Sequence, residues 1–141
     1  MPPSNPWREL APAENAAAVL LLDTSFVIEL EAEFSERRAG PARRLLAARP
    51  LEPAAISIVT LAEFAEGFEN LVEVEAFISQ FRVIALSRAI AYRCSEMQRR
   101  LSQRLSENDA WIAATALAYG AELVGRERAF ERVPRLQYVE F

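Results

Sequence analysis

Short apolar runs of strand length alternate with longer stretches of helical period along this chain, and that alternation limits the folds open to it. Residues 17–22, "AISIVT" with its preceding Ala54, "RVIAL" (82–86), "AELVG" (121–125) and "LQYVEF" (136–141) read as strands. Between them, residues 25–40 and 41–50, the short amphipathic stretches "LAEFAEGF" and "EVEAFISQF", a long period from Ser87 to about Arg104, and 107–120 read as helices. Pro50 and Gly120 supply stops. Connections this long between successive strands predict an α/β chain: a mainly parallel central sheet of four to five strands, with helices on both faces.

In such a sheet the loops leaving the carboxyl ends of the strands converge on a crevice where ligands bind. Four acids fall at that kind of place. Asp23 ends the first strand, Glu63 follows the second, Asp109 opens a helix, and Glu127 lies just past the fourth strand. Taken singly, each has a plainer explanation. Asp23, Thr24 and Ser25 suit the start of a helix, "TLAE" (60–63) has the capping-box pattern, and "SEND" (106–109) is a near relative of it. Capping accounts for each acid separately, however, and does not require the acids to meet. A parallel sheet with neighbouring strands gathers them, and unpaired carboxylates held together repel one another.

The composition then narrows the chemistry. The chain has no histidine, and all 16 of its basic residues are arginine. Imidazole general bases, Ser-His-Asp catalysis, histidine-bound zinc, lysine Schiff bases and the P-loop lysine are therefore excluded. Carboxylates gathered without lysine or histidine need arginine or a divalent cation, and hard oxygen donors suit Mg²⁺ or Mn²⁺. Mg²⁺ takes few carboxylates, keeps waters and binds phosphate, so a phosphodiester is the logical substrate.

The net charge of −4 argues against a generally basic surface, but arginines cluster at 37–44, 99–104 and 126–135. Such pairs are usually a solvated face; they are also the side chains that contact phosphates. A single cysteine, Cys94, excludes an internal disulfide and agrees with a reducing compartment, so a cytoplasmic location is expected. Residues 1–17 form a proline-rich leader, either disordered or laid across a partner, with no signal-peptide or membrane-span pattern; 18–141 is expected to be one domain.

"LLLDTSFVIEL", "SIVTLAEFAEGF", "NDAWIAATALAYGAELVGRERAF" and "RLQYV", in this order and spacing, resemble the PIN-domain family, most closely the VapC-type ribonuclease toxins of toxin–antitoxin pairs. The likeness spans about residues 18–141. It implies a PIN-like three-layer α/β/α sandwich, Mg²⁺- or Mn²⁺-dependent endoribonuclease activity, a homodimer and a cognate antitoxin. Residue by residue, it assigns catalytic roles to Asp23, Glu63, Asp109 and Glu127, with Asp23 and Asp109 as direct metal ligands. Thr24 or Ser25 matches the hydroxyl after the first acid, and Arg126 is a candidate substrate contact. Two positions depart from the pattern: Gly125 stands where the family commonly has Thr or Ser, and Glu127 where it has Asp or Asn. Outside this reading lie a PIN-fold binding module with little catalysis and a phosphoaspartyl protein. The second is disfavoured because Thr-Ser follows Asp23 and no lysine is available.

Overall fold

The computed structural model describes residues 19–50 and 52–141; the leader assigned to 1–17 lies outside them. Five strands form one all-parallel sheet: β1 (Leu20–Leu22), β2 (Ala54–Ser57), β3 (Arg82–Ile84), β4 (Glu122–Gly125) and β5 (Gln137–Glu140). Their order is β3-β2-β1-β4-β5. Chain direction across the sheet therefore reverses at β1, with β2 on one side of it and β4 on the other.

The helices are α1 (Thr24–Ser35), α2 (Pro41–Ala47), α3 (Ile58–Ala65), α4 (Leu71–Ile78), α5 (Arg88–Arg100) and α6 (Glu107–Tyr119), with a 3-10 turn at Arg128–Arg132. Because side chains alternate across a strand, the sheet feeds two cores. Leu21, Ala55 and Leu123 pack with α5 and α6 on one face, while Leu20, Leu22, Ile56 and Val124 pack with Phe26, Leu30, Phe64 and Val74 on the other. This is the expected three-layer α/β/α sandwich. Among the described residues no helix is long and apolar enough to cross a membrane.

Several boundaries differ from the sequence reading. The second strand stops at Ser57, whose hydroxyl accepts the Val59 N–H and starts α3 at Ile58. The β-branched run Ile58-Val59-Thr60 reads as strand by composition, yet a cap at Ser57 turns it into the first helical turn. The long period from Ser87 ends as helix at Arg100. Both side-chain amide atoms of buried Gln98 bond the backbone of Leu105, each at 2.9 Å, folding residues 101–105 back over the last turn of α5.

The join between α1 and α2 rests on a residue that the sequence reading passes over. Glu33 is fully buried, and its carboxylate accepts the N–H groups of Gly40, Ala42 and Arg43, each at 2.9 Å. It thereby caps α2, whose own N-cap, Gly40, has no side chain to do so. A Cβ at Gly40 would stand 2.5 Å from the same carboxylate, so the close approach needs glycine there.

Candidate active site

Asp23 leaves β1 at the switch in strand order, its N–H bonded to the Val124 carbonyl of β4 at 2.9 Å. It occupies the N-cap position of α1 but makes no side-chain capping bond, which removes the plainer explanation of this acid. Its Oδ2 instead accepts the Ser25 hydroxyl at 2.8 Å, and Ser25 Oγ in turn accepts the Arg126 N–H at 3.1 Å. Asp23 is only 4% exposed. Burial, joined by the charge of Asp109, raises its carboxyl above the ordinary value, although the Ser25 hydroxyl and the nearby N–H groups of Thr24 and Ser25 pull the other way.

Glu63 is not a capping-box residue either, since α3 starts at Ile58 and places it in the second turn. Its two oxygens are held from two other elements. Thr24 Oγ1 donates to Oε1 at 2.6 Å and lies 3.1 Å from the hydroxyl of buried Thr60, while Asn108 Nδ2 donates to Oε2 at 3.1 Å. One carboxylate thus ties the starts of α1 and α6 to α3. The sequence reading places Thr60 and Asn108 in capping patterns and not among the site residues; the signal for Asn108 is its position next to Asp109.

Asp109 sits in the first turn of α6, where Ser106 caps its N–H at 3.4 Å. For this acid the capping motif and the site coincide. Burial raises its carboxyl, the Ser106 hydroxyl lowers it, and the charges of Glu127 and Glu63 raise it again. Glu127 opens the 3-10 turn, accepting the Ala129 N–H at 3.4 Å. Mutual electrostatic effects thus link Asp23 to Asp109, and Asp109 to both Glu127 and Glu63. The four acids named from the sequence share one end of the sheet.

Two further positions acquire physical meaning. A Cβ on Gly125 would stand 2.8 Å from Asp23 Oδ2 and 2.9 Å from its Cβ, so a side chain at this position would displace Asp23. Ser25 supplies a hydroxyl to Asp23. Arg126, expected to reach substrate, has its guanidinium 4.1 Å from the centre of the Phe141 ring, with Nε donating to the Phe141 carbonyl at 3.3 Å.

Among the described residues no arginine forms an ion pair with any of the four acids, and no three of them converge into a ready-made chelate. Mutually repelling hard-oxygen donors suit a divalent cation that takes one or two carboxylates and keeps most of its waters. Gly125→Ala is expected to slow any reaction that depends on Asp23 by about 10- to 100-fold, because it displaces an oriented carboxylate. Overpacking should cost about 1–3 kcal/mol of stability. Initial rates beside thermal melts check this, and an unchanged rate would show that the Asp23–Gly125 contact has no bearing on activity.

The model of the PIN-domain family matches residues 20–136. No curated protein matches the chain in sequence. Among solved structures, a toxin–antitoxin complex from Klebsiella pneumoniae is 30% identical, with a TM-score of 0.67 over 87% of this chain and 96% of that one. DNA-bound VapBC from Salmonella typhimurium is 26% identical, with a TM-score of 0.67 over 88% and 98%. A sarcin-ricin-loop-cleaving VapC toxin of Mycobacterium tuberculosis shares the fold at 20% identity, with a TM-score of 0.59 over 79% and 92%.

Proposed function

The chain belongs to the PIN-domain family and resembles its VapC-type toxins; from that premise we propose that it is an endoribonuclease toxin that hydrolyses RNA with a bound Mg²⁺ or Mn²⁺. The observation that carries this reading is the meeting of Asp23, Glu63, Asp109 and Glu127 at the carboxyl end of the sheet, where among the described residues no arginine pairs with them. When bound, the cation supplies positive charge against the phosphodiester and makes a water more acidic. The chain's own part is to hold and orient. Asp23 and Asp109 present the ligand oxygens, Ser25 fixes the rotamer of Asp23, and Ser106 that of Asp109. Glu63, locked by Thr24 and Asn108, and Glu127, held at the 3-10 turn, face the attacking water.

The folded unit from residue 18 onward is the nuclease domain in this reading, acting in the cytoplasm. Its partners are RNA, a second copy of the chain and a cognate antitoxin, as in the toxin–antitoxin complexes of similar fold. An apolar surface suits a protein partner: Ile28 and Phe34 on α1 and Leu71 and Val72 on α4 are exposed, and Phe34 meets Phe77 with ring centroids 6.1 Å apart.

The test is purified protein on total cellular RNA with Mg²⁺, Mn²⁺ or chelator. Cleavage that needs the cation and leaves 5′-phosphate and 3′-hydroxyl ends is expected from water attack. Cyclic phosphate ends would mean attack by the 2′-hydroxyl, and intact RNA under every condition would remove the enzymatic reading. Because Asn108 is exposed and only orients Glu63, Asn108→Ala should slow cleavage about 10-fold and leave the melting temperature in place.

A further inference from the structure

The backbone of Arg126 belongs to the acid site, while its side chain is held elsewhere. Its N–H donates to Ser25 Oγ at 3.1 Å, and the same hydroxyl donates to Asp23 Oδ2 at 2.8 Å, so one oxygen separates this backbone from that carboxylate. On one side of it stands Gly125, where an added Cβ would meet Asp23 at 2.8 Å, and on the other Glu127. Glu140 of β5 lies opposite Gly125 in the sheet. Three carboxylates are thus close in chain or register, yet among the described residues Arg126 forms an ion pair with none of them.

Alternation along β4 turns Gly125 toward Asp23 and the next residue toward the other face, where Val139 and Phe141 pack against the core that contains Phe26. There the guanidinium lies over the Phe141 ring, 4.1 Å from its centre, and Nε donates to the Phe141 carbonyl at 3.3 Å. The ring is itself braced. It meets fully buried Phe26 edge-on, with centroids 4.8 Å apart, and the Phe141 N–H donates to the Gly125 carbonyl at 3.3 Å. Phe26 directly follows Ser25, so the ring's support and the hydroxyl on Asp23 come from adjacent residues. The aromatic face and the carbonyl engage the flat of the guanidinium and its Nε. Both terminal nitrogens remain without a partner among the described residues. A guanidinium stacked in this way keeps its planar fork, the geometry that takes two oxygens of one phosphate.

We propose that Phe141 positions Arg126 to clamp a phosphate of the bound RNA strand beside the acids. The inference rests on the ribonuclease reading above and deepens it, since the acids address the scissile phosphate and Arg126 takes a neighbouring one. Held by a ring rather than by a carboxylate, the arginine keeps its charge unneutralised for the incoming anion and gives up little freedom on binding it. A chain of net charge −4 thereby presents one ordered cation where the strand passes its acids.

The test measures binding of a fluorescein-labelled, mixed-sequence RNA oligonucleotide to the full chain in chelator, so that nothing is cut, over a range of salt concentrations and beside thermal melts. Arg126→Ala, which keeps the N–H bond to Ser25, should weaken binding several-fold and flatten the slope of log K against log salt by about 0.7, the value for one phosphate contact on a single strand. Arg126→Lys should not restore wild-type affinity, because an ammonium lacks the fork. Phe141→Leu, which keeps an apolar contact with Phe26, should weaken binding by about two- to fivefold, the worth of an exposed cation–π contact, and Phe141→Trp should retain wild-type affinity. In an Arg126→Ala background, Phe141→Leu should have no further effect, because the ring acts on RNA only through the guanidinium. An equally large effect of Phe141→Leu in that background would overturn the positioning role and leave the ring as packing alone. A wild-type slope in Arg126→Ala, with RNA still cleaved when the cation is restored, would overturn the clamp and leave the nuclease intact. A wild-type chain that neither binds nor cuts RNA would overturn both.

Discussion

Asp23→Asn lowers RNA cleavage by about a thousandfold or more, while the protein melts at the same temperature or higher. The loss in rate follows from removing one of the two carboxylates proposed to hold the cation, whose charge stabilisation is worth several kcal/mol at roughly 1.4 kcal/mol per factor of ten. The direction of the stability change follows from the site's own electrostatics. Burial and Asp109 raise the Asp23 carboxyl above its ordinary value of 3.8. An acid raised in this way contributes stability that is fully present below that value and is lost as pH rises through the folded one. At neutral pH the wild-type chain therefore carries a penalty that asparagine, uncharged and of the same shape, does not. Cleavage rates together with melts at pH 7 check both halves. A variant that loses activity only because it unfolds would contradict this account of Asp23.

Glu33→Ala has the largest expected effect on stability, a loss of about 3–5 kcal/mol, because it leaves three backbone N–H groups, two of them buried, without an acceptor. For a chain of this size that lowers the melting temperature by about 10 °C or more. Glu33→Gln, which keeps the shape but gives up one of the two acceptor oxygens, should fall between. The pH dependence has the opposite sign to that of Asp23. Burial works against ionisation of Glu33, but the N–H groups of Arg43, Ala42 and Gly40 outweigh it, so the carboxyl is held below its ordinary 4.5. Its contribution is present above pH 4.5 and is lost as pH falls through the lower folded value. Denaturant melts of the three proteins at pH 7, and of the wild type down to pH 3, measure this. Equal stability of Glu33→Ala and wild type would mean that the α1–α2 join is held by something else.

The sheet and the gathering of its acids were readable from the sequence for one reason: parallel strands joined by helices must bring their carboxyl ends together. Asp23, Glu63, Asp109 and Glu127 are far apart in the chain, and only topology connects them. What the sequence concealed depends on side chains reaching across elements. Ile58, Val59 and Thr60 have strand composition, and only the Ser57 cap makes them helix. Glu33 sits in "ELEAEFSERR", where glutamates at helical spacing read as a solvated face; its burial is set by the turn back to Gly40. That glycine followed by proline, opening a helix with no capping side chain, was the available hint. The sequence put a hydroxyl contact at Gly125 in doubt but could not show that a Cβ there would crowd Asp23. The ring of Phe141 beside Arg126 follows from the pairing of β5 with β4, which strand length alone does not specify.

Direct titration of the purified protein with Mn²⁺ by calorimetry tests the gathering of these carboxylates most directly, because it needs neither the RNA nor its cleavage site. The account predicts saturable binding, and loss of that binding in the doubly substituted Asp23→Asn, Asp109→Asn chain. Equal binding of Mn²⁺ by the substituted and wild-type chains would contradict it.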